Sequence, residues 1–68
     1  MSINNIKGFN KLSELAKSVF IWVYAKHINA VEDKDEWTAV RVKERKDHIE
    51  VHFKNGNWLK FYTDGTWC

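Results

Sequence analysis

The sequence feature that most constrains the fold of this chain is the alternation of apolar and polar residues over positions 48–53. Its apolar members, Ile49, Val51 and Phe53, occupy every second position, so they share one face of a strand. The polar members fall on the opposite face. This pattern predicts a strand that buries one side against a hydrophobic core.

Turn signals on both sides of this strand predict a three-stranded antiparallel meander. Residues 54–56 end in Gly56, which suits a three-residue hairpin loop whose last residue needs a positive φ. Residues 46–47 suit a two-residue loop on the other side. Both loops keep large apolar residues on the inner face. The predicted inward pairs are Val51-Leu59, Ile49-Phe61, Val42-Val51 and Val40-Phe53.

The outer face of the predicted sheet is basic and aromatic. The same register forms three rows of side chains across the strands: Arg41-His52-Trp58, Lys43-Glu50-Lys60 and Arg45-His48-Tyr62. Glu50 lies between two lysines, which is a favourable cross-strand arrangement. Beyond the third strand, the Asp64-Gly65 turn predicts that residues 66–68 fold back as a short fourth strand.

Residues 9–29 form the predicted helix, because nothing breaks the pattern and apolar residues recur at helical spacing. Asn10 is the predicted N-cap and Asn29 the predicted C-terminal cap. A competing interpretation makes residues 18–26 a strand, since residues 19–24 are all strand-favouring types. Nothing at Lys17-Ser18 would end a helix and begin a strand, so we favour the helix.

This helix carries more apolar surface than a three-stranded sheet can cover. The residues expected to face the sheet are Leu12, Leu15 and Ala16. Ile21, Tyr24 and Ile28 are then expected on the side away from the sheet. Surplus apolar surface of this kind marks a partner or oligomer interface. The alternative is that residues 1–8 or 29–36 fold over it.

The length of 68 residues leaves room for one small α+β domain. Its predicted parts are a loose arm or short edge strand (1–8), the helix (9–29) and the antiparallel sheet (37–68). Four tryptophans, four phenylalanines and two tyrosines supply the bulk that a small core needs. The formal net charge of +2 neither demands nucleic acid nor suggests an acidic mimic of it.

The sequence gives no sign of an oxidising compartment or of a membrane. Cys68 is the only cysteine, so no internal disulfide can form. The first residues lack the basic-then-apolar pattern of a signal peptide. The longest apolar run, residues 19–25, is far shorter than the roughly 20 residues that span a bilayer. We expect a cytoplasmic protein that does not enter a membrane.

No set of residues predicts catalysis, a metal or a cofactor. His48 and His52 lie four residues apart on a strand, roughly 13 Å, which is too far to share one metal ion. Cys68 is poorly placed for a nucleophile, because the last residue of a chain is seldom held rigidly. The acidic run at 32–36 has no apolar pocket to shift a pKa. We expect a non-enzymatic protein.

The leading hypothesis is contact with a host or cognate protein. In size and style the chain resembles the small single-domain proteins of bacteriophages and mobile elements. That resemblance implies inhibition of a host enzyme or defence complex by occlusion. A homodimer whose helix backs pair is a further hypothesis. The residues expected to anchor a partner are Ile21, Tyr24, Ile28, Trp58 and Tyr62.

The alternative hypothesis is binding of RNA or single-stranded DNA by the outer sheet face. Cations would meet phosphates there and rings would stack on bases. The same alternation also arises in any antiparallel sheet that keeps one face in water. The residues expected to bind are Arg41, Lys43, Arg45, His52, Trp58 and Lys60.

Overall fold

The computed structural model describes residues 6–68, so residues 1–5 of the predicted arm lie outside the described part. A 3-10 turn at Phe9–Lys11 precedes helix α1, which spans Glu14–Ala30. An antiparallel sheet follows, with strands β1 (Ala39–Glu44), β2 (Ile49–Phe53) and β3 (Trp58–Phe61) in that order. The predicted α+β class is confirmed, and residues 18–26 are helical. Within residues 6–68, no helix has the length and apolar character needed to cross a membrane.

Helix α1 begins later than predicted, because Ser13 rather than Asn10 caps it. The Ser13 Oγ accepts a hydrogen bond from the Ala16 N–H at 3.1 Å and donates one to Glu44 Oε2 at 3.0 Å. The Ser13 N–H donates to Glu44 Oε1 at 2.8 Å. Glu44 ends β1, so this contact fixes the helix start to the sheet. The helix also continues through Asn29, so neither predicted cap is correct.

Both predicted hairpins have the predicted register over most of their length. Gly56 has a φ of +87°, as the three-residue loop requires. Asn55 Oδ1 accepts a hydrogen bond from the Asn57 N–H at 2.9 Å, which closes that loop. The confirmed inward pairs are Val51-Leu59, Ile49-Phe61 and Val42-Val51.

The first hairpin departs from the prediction at Val40. Ala39 lies opposite Phe53, and Val40 is an extra residue in a β-bulge before Arg41. Ala39 is buried, whereas Val40 is 44% exposed. The Tyr24 hydroxyl accepts a hydrogen bond from the Ala39 N–H at 3.0 Å, which keeps Ala39 on the inner side of the sheet. The predicted Val40-Phe53 pair is therefore wrong.

Residues 6–8 pack against β1. Ile6 is buried. The Lys7 N–H donates to the Val40 carbonyl at 3.1 Å, and the Lys7 carbonyl accepts from the Val42 N–H at 2.9 Å. Of the two predicted interpretations, a loose arm and a short edge strand, these three residues agree with the second, which is a single bridge to β1.

The last residues fold back along β3, as predicted. Gly65 has a φ of +91° in the turn, and Asp64 Oδ1 accepts a hydrogen bond from the Thr66 N–H at 3.1 Å. Phe61 and Trp67 then form an isolated antiparallel bridge. The predicted fourth strand is thus reduced to a single bridge beside a three-stranded sheet.

The core lies between α1 and the inner face of the sheet. The largest fully buried side chains are Phe20, Phe61, Val23 and Val51. The rings of Phe20 and Phe61 stack with centroids 5.9 Å apart, which joins helix to sheet. Leu12 and Ala16 are buried as predicted, but Leu15 is 67% exposed, so its predicted place facing the sheet is wrong.

One polar side chain, His27, lies inside this core with 2% of its surface exposed. Its Nδ1 is buried and has no hydrogen-bond partner within residues 6–68. Burial lowers the pKa of His27, because desolvation disfavours the charged imidazolium. The surrounding rings, with centroids between 5.1 and 6.1 Å from the imidazole, are Trp37, Phe53, Trp67 and Phe61.

Candidate functional site

The exposed side of α1 is apolar for most of its length. Leu15, Ile21 and Trp22 are 67%, 49% and 48% exposed. Ser18 and Ala25 are the small exposed residues beside them. Helical spacing places these five residues on a common side. We call them the outer helix face; its charged neighbours are Glu14 at the helix start and Lys26 beside Trp22.

Trp22 is held in place at one edge of the outer helix face. A Cβ added to Gly65 would lie 2.7 Å from the Trp22 ring, so only a glycine lets the turn approach the indole this closely. The Lys26 Nζ lies 5.2 Å from the ring centroid and donates a hydrogen bond to the Gly65 carbonyl at 2.9 Å. The indole is therefore fixed on one side and half-exposed on the other.

A cleft of about 300 Å³ opens beside Leu15, between α1 and the turn that joins β1 to β2. Val19 and Ile49 contribute apolar lining, and Asp47 and His48 lie at its rim. The His48 Nδ1 and Asp47 Oδ1 are 2.6 Å apart, and this hydrogen bond lowers the pKa of the Asp47 carboxyl. The cleft extends the outer helix face toward a polar edge.

The three predicted anchors on α1 have different surroundings. Ile21 lies on the outer helix face, whereas Ile28 is partly buried against the core. Tyr24 is buried, and its hydroxyl donates to the Trp37 carbonyl at 3.1 Å and accepts from the Ala39 N–H at 3.0 Å. The expectation that Tyr24 and Ile28 lie away from the core is wrong, because the chain entering β1 packs against Tyr24.

The two predicted anchors on the sheet also differ. Trp58 is 49% exposed and stacks on the His52 ring, with centroids 6.1 Å apart and planes 22° apart. Tyr62 is half-buried beside His48. The Tyr62 hydroxyl lies 3.5 Å from the Cys68 Sγ, and this contact raises the pKa of the phenol. Trp58 is therefore the accessible ring of this face.

Glu50 lies at the centre of the outer sheet face and binds two neighbours. Its carboxylate lies 3.4 Å from the Arg45 guanidinium and 3.0 Å from the His52 Nε2. The hydrogen bond to His52, with the nearby charge of Arg45, holds the pKa of Glu50 below its usual range. Arg45 and His52 thus already pair with a carboxylate of the same chain, that of Glu50.

The other predicted basic residues are not engaged in this way. The predicted rows across β1, β2 and β3 are present, with Arg41 opposite His52 and Lys43 opposite Glu50. Lys60 lies opposite Glu50 from the other side. The ion pairs formed within residues 6–68 leave Arg41 and Lys43 without an acidic partner, whereas the charge of Lys60 helps to lower the pKa of the Asp47 carboxyl.

Two further lysines join the basic side of the molecule. Lys7 forms a parallel bridge with Arg41 at the sheet edge. A groove of about 610 Å³ runs between this segment and β1, and it is lined by Lys7, Lys11, Arg41 and Lys43 among others. Sequence reasoning missed Lys7 and Lys11, because the pairing of residue 7 with β1 is a tertiary contact with no periodic signal.

The carboxylates and histidines of the described chain do not form a metal-binding cluster. No three His, Cys, Asp or Glu side chains of residues 6–68 come together with the geometry of a metal site. His48 and His52 each pair with a carboxylate next to them on the chain or strand. The accessible features are therefore surfaces, one on the helix and one on the sheet.

No protein-family model, curated protein or solved structure matches this chain. Any role assigned to the candidate surfaces therefore rests on the geometry of this chain alone. The outer helix face is largely apolar, whereas the outer sheet face is basic with one accessible tryptophan.

Proposed function

We propose that this protein is a small non-enzymatic binding protein that acts by contact with a host or cognate protein, with the outer helix face as its anchor. The observation that carries the proposal is the exposure of three large apolar side chains, Leu15, Ile21 and Trp22, on one side of α1. Contiguous exposed apolar surface in a small protein marks a protein-protein or similar interaction site.

The spacing of these residues suits insertion into a groove. Leu15 and Trp22 are seven residues apart, which is about two helical turns. Helices that dock into apolar grooves use anchors at this spacing. Trp22 is already fixed by Gly65 and Lys26, so its ordering on binding costs little conformational entropy. Tryptophan is also enriched at the energetic centres of interfaces.

Occlusion is the mode of action that we propose. The outer helix face would fill an apolar groove of the partner and block what that groove normally binds. The cleft beside Leu15 would accept one apolar side chain from the rim of the partner's groove. Shape and apolar burial would supply the affinity, so binding would depend only weakly on salt.

The test is quantitative capture from a lysate of cells that make the protein, with an N-terminal tag and nuclease treatment. We expect wild-type protein to retain one stoichiometric protein partner. The double variant Leu15→Lys/Ile21→Lys is expected to retain at least about tenfold less of that partner, because two ammonium groups would be desolvated in an apolar groove. Mass spectrometry measures the retained amounts.

The matched control is Val40→Lys, which replaces another exposed apolar residue outside the helix. Capture by this variant should equal capture by wild type. Thermal unfolding of all variants verifies that each is folded. Equal capture by wild type and the double variant would exclude the outer helix face as the anchor.

A further inference from the structure

A second surface with a different chemistry lies on the opposite side of the molecule. Helix α1 packs on the inner face of the sheet, so the outer sheet face and the outer helix face point in opposite directions. The bridge between Lys7 and Arg41 extends the first outer row by one residue. Four neighbouring chain segments thus present, in order, Lys7, Arg41, His52 and Trp58.

Gly8 lets the N-terminal segment lie this close to the sheet. Its φ is +88°, and a Cβ at this position would lie 2.3 Å from the Val42 carbonyl oxygen. The chain then turns directly into Phe9–Lys11. As a result, Lys7 and Lys11 line the same groove as the basic residues of β1.

The positive charge of this groove is not neutralised by the chain itself. Glu44, one of its two lining carboxylates, accepts hydrogen bonds from the Ser13 N–H and Oγ. Glu50, the other, pairs with Arg45 and His52. The groove cations that have no acidic partner within residues 6–68 are Lys7, Lys11, Arg41 and Lys43. Such a groove attracts a polyanion.

The aromatic end of the row distinguishes between kinds of polyanion. Neighbouring strands are about 4.8 Å apart, so Lys7 and Trp58 are roughly 14 Å apart across the sheet. Trp58 is half-exposed and is backed by the His52 ring. An unstacked base can lie on such an indole, whereas a duplex keeps its bases stacked internally. An acidic peptide has no ring that needs this platform.

We propose that the outer sheet face binds a single-stranded nucleic acid, with phosphates along Lys7, Arg41 and Lys43 and a base stacked on Trp58. None of these residues belongs to the outer helix face. The proposal is therefore independent of the protein contact proposed above, and each can fail without the other.

Fluorescence anisotropy with a labelled 15-nucleotide oligo-dT and oligo-U tests it across a salt series. Affinity is expected to fall with salt, with a log-log slope of about −2 for three phosphate contacts at about −0.7 each. Lys7→Ala should weaken binding and make the slope shallower by about 0.7. Lys34→Ala, which removes the same charge from the loop after α1, should change neither the affinity nor the salt slope.

The variant Trp58→Ala tests the stacking contact. Loss of one base-aromatic stack should weaken binding about fivefold to 150-fold, while Trp58→Phe retains most of the affinity. Circular dichroism verifies the fold of each variant. Absent or salt-independent binding would overturn the proposal. It would also be overturned if duplex DNA or polyglutamate bound as tightly, or if Trp58→Ala had no effect.

Discussion

At the scale of single side chains, the buried polar residue His27 has the largest expected effect on how stability depends on pH. Its imidazole lies in the aromatic core, 2% exposed, with a buried Nδ1 that has no hydrogen-bond partner within residues 6–68. A charged imidazolium there would lose hydration without gaining a carboxylate. This burial lowers the pKa of His27 relative to that of the unfolded chain.

The stability of the protein should therefore decrease in mild acid. Above about pH 6.5, His27 is neutral in both the folded and the unfolded chain and contributes no pH dependence. Below that pH, the unfolded chain binds a proton that the folded chain does not. The free energy of unfolding then falls by up to about 1.4 kcal/mol per pH unit until the lowered folded-state pKa is reached. Urea unfolding between pH 8 and pH 5 measures this.

The variant His27→Phe isolates this contribution from those of the other titrating groups. In this variant the free energy of unfolding should not fall through protonation of residue 27. The variant should therefore become more stable relative to wild type as the pH falls below about 6.5. A difference that stays constant from pH 8 to pH 5 would show that His27 is protonated equally well in the folded core.

Helix α1 is rotated about its axis relative to the prediction. Leu15 and Tyr24 are nine residues apart, which at 100° per residue places them on opposite sides of the helix. The prediction turned Leu15 inward and Tyr24 outward, and the structure has the reverse. One rotation thus accounts for both errors. The sequence could not decide between the two orientations because large apolar residues occur on both sides.

Tertiary hydrogen bonds at the start of the helix and in its second half fix this rotation. The Tyr24 hydroxyl bonds to the Trp37 carbonyl and the Ala39 N–H. Ser13 bonds to Glu44 at the helix start. These partners are far from the helix in sequence, so periodicity carries no information about them.

Removing the Ser13 hydroxyl should destabilise the protein. Ser13→Ala loses the bond to the Ala16 N–H and the bond to Glu44 Oε2, and should lower the free energy of unfolding by about 1 kcal/mol. Asn10→Ala, at the predicted but incorrect cap, should change it by less than about 0.5 kcal/mol. Chemical denaturation measures both values.

Two more variants separate capping from the contact with Glu44. Ser13→Thr keeps a hydroxyl and should retain most of the stability. Ser13→Asp is a good cap in general, but here its carboxylate would approach that of Glu44, so it should be less stable than wild type. An aspartate variant as stable as wild type would contradict the assigned role of Glu44.

The pairing of the strands could be predicted more completely than the orientation of the helix, because strand register depends on local sequence signals. Alternation in residues 48–53 and the Gly56 turn are sufficient to set β2 against β3. The bulge at Val40 could not be predicted in this way, because it occurs where Lys7 and Tyr24 contact β1. Likewise the predicted basic rows are present, but the groove that Lys7 and Lys11 complete is not visible in the sequence.

Considered as a whole, the molecule presents two unlike surfaces back to back. The largely apolar outer helix face is the proposed contact with a protein, and the basic outer sheet face is the proposed contact with a single-stranded nucleic acid. Because the core separates them, a substitution on one surface should leave binding at the other unchanged. The two proposals together place a protein partner on one side of the molecule and a nucleic acid on the other.

The measurement that tests the proposed protein contact most directly is site-specific photo-crosslinking in lysate. Ile21 is replaced with p-benzoylphenylalanine in one sample and Val40 in another, since both side chains are exposed. We expect one dominant crosslinked protein from position 21 and little from position 40, because the proposed complex would bury only the outer helix face. Crosslinking of that protein from position 40 that equals or exceeds its crosslinking from position 21 would contradict the central claim.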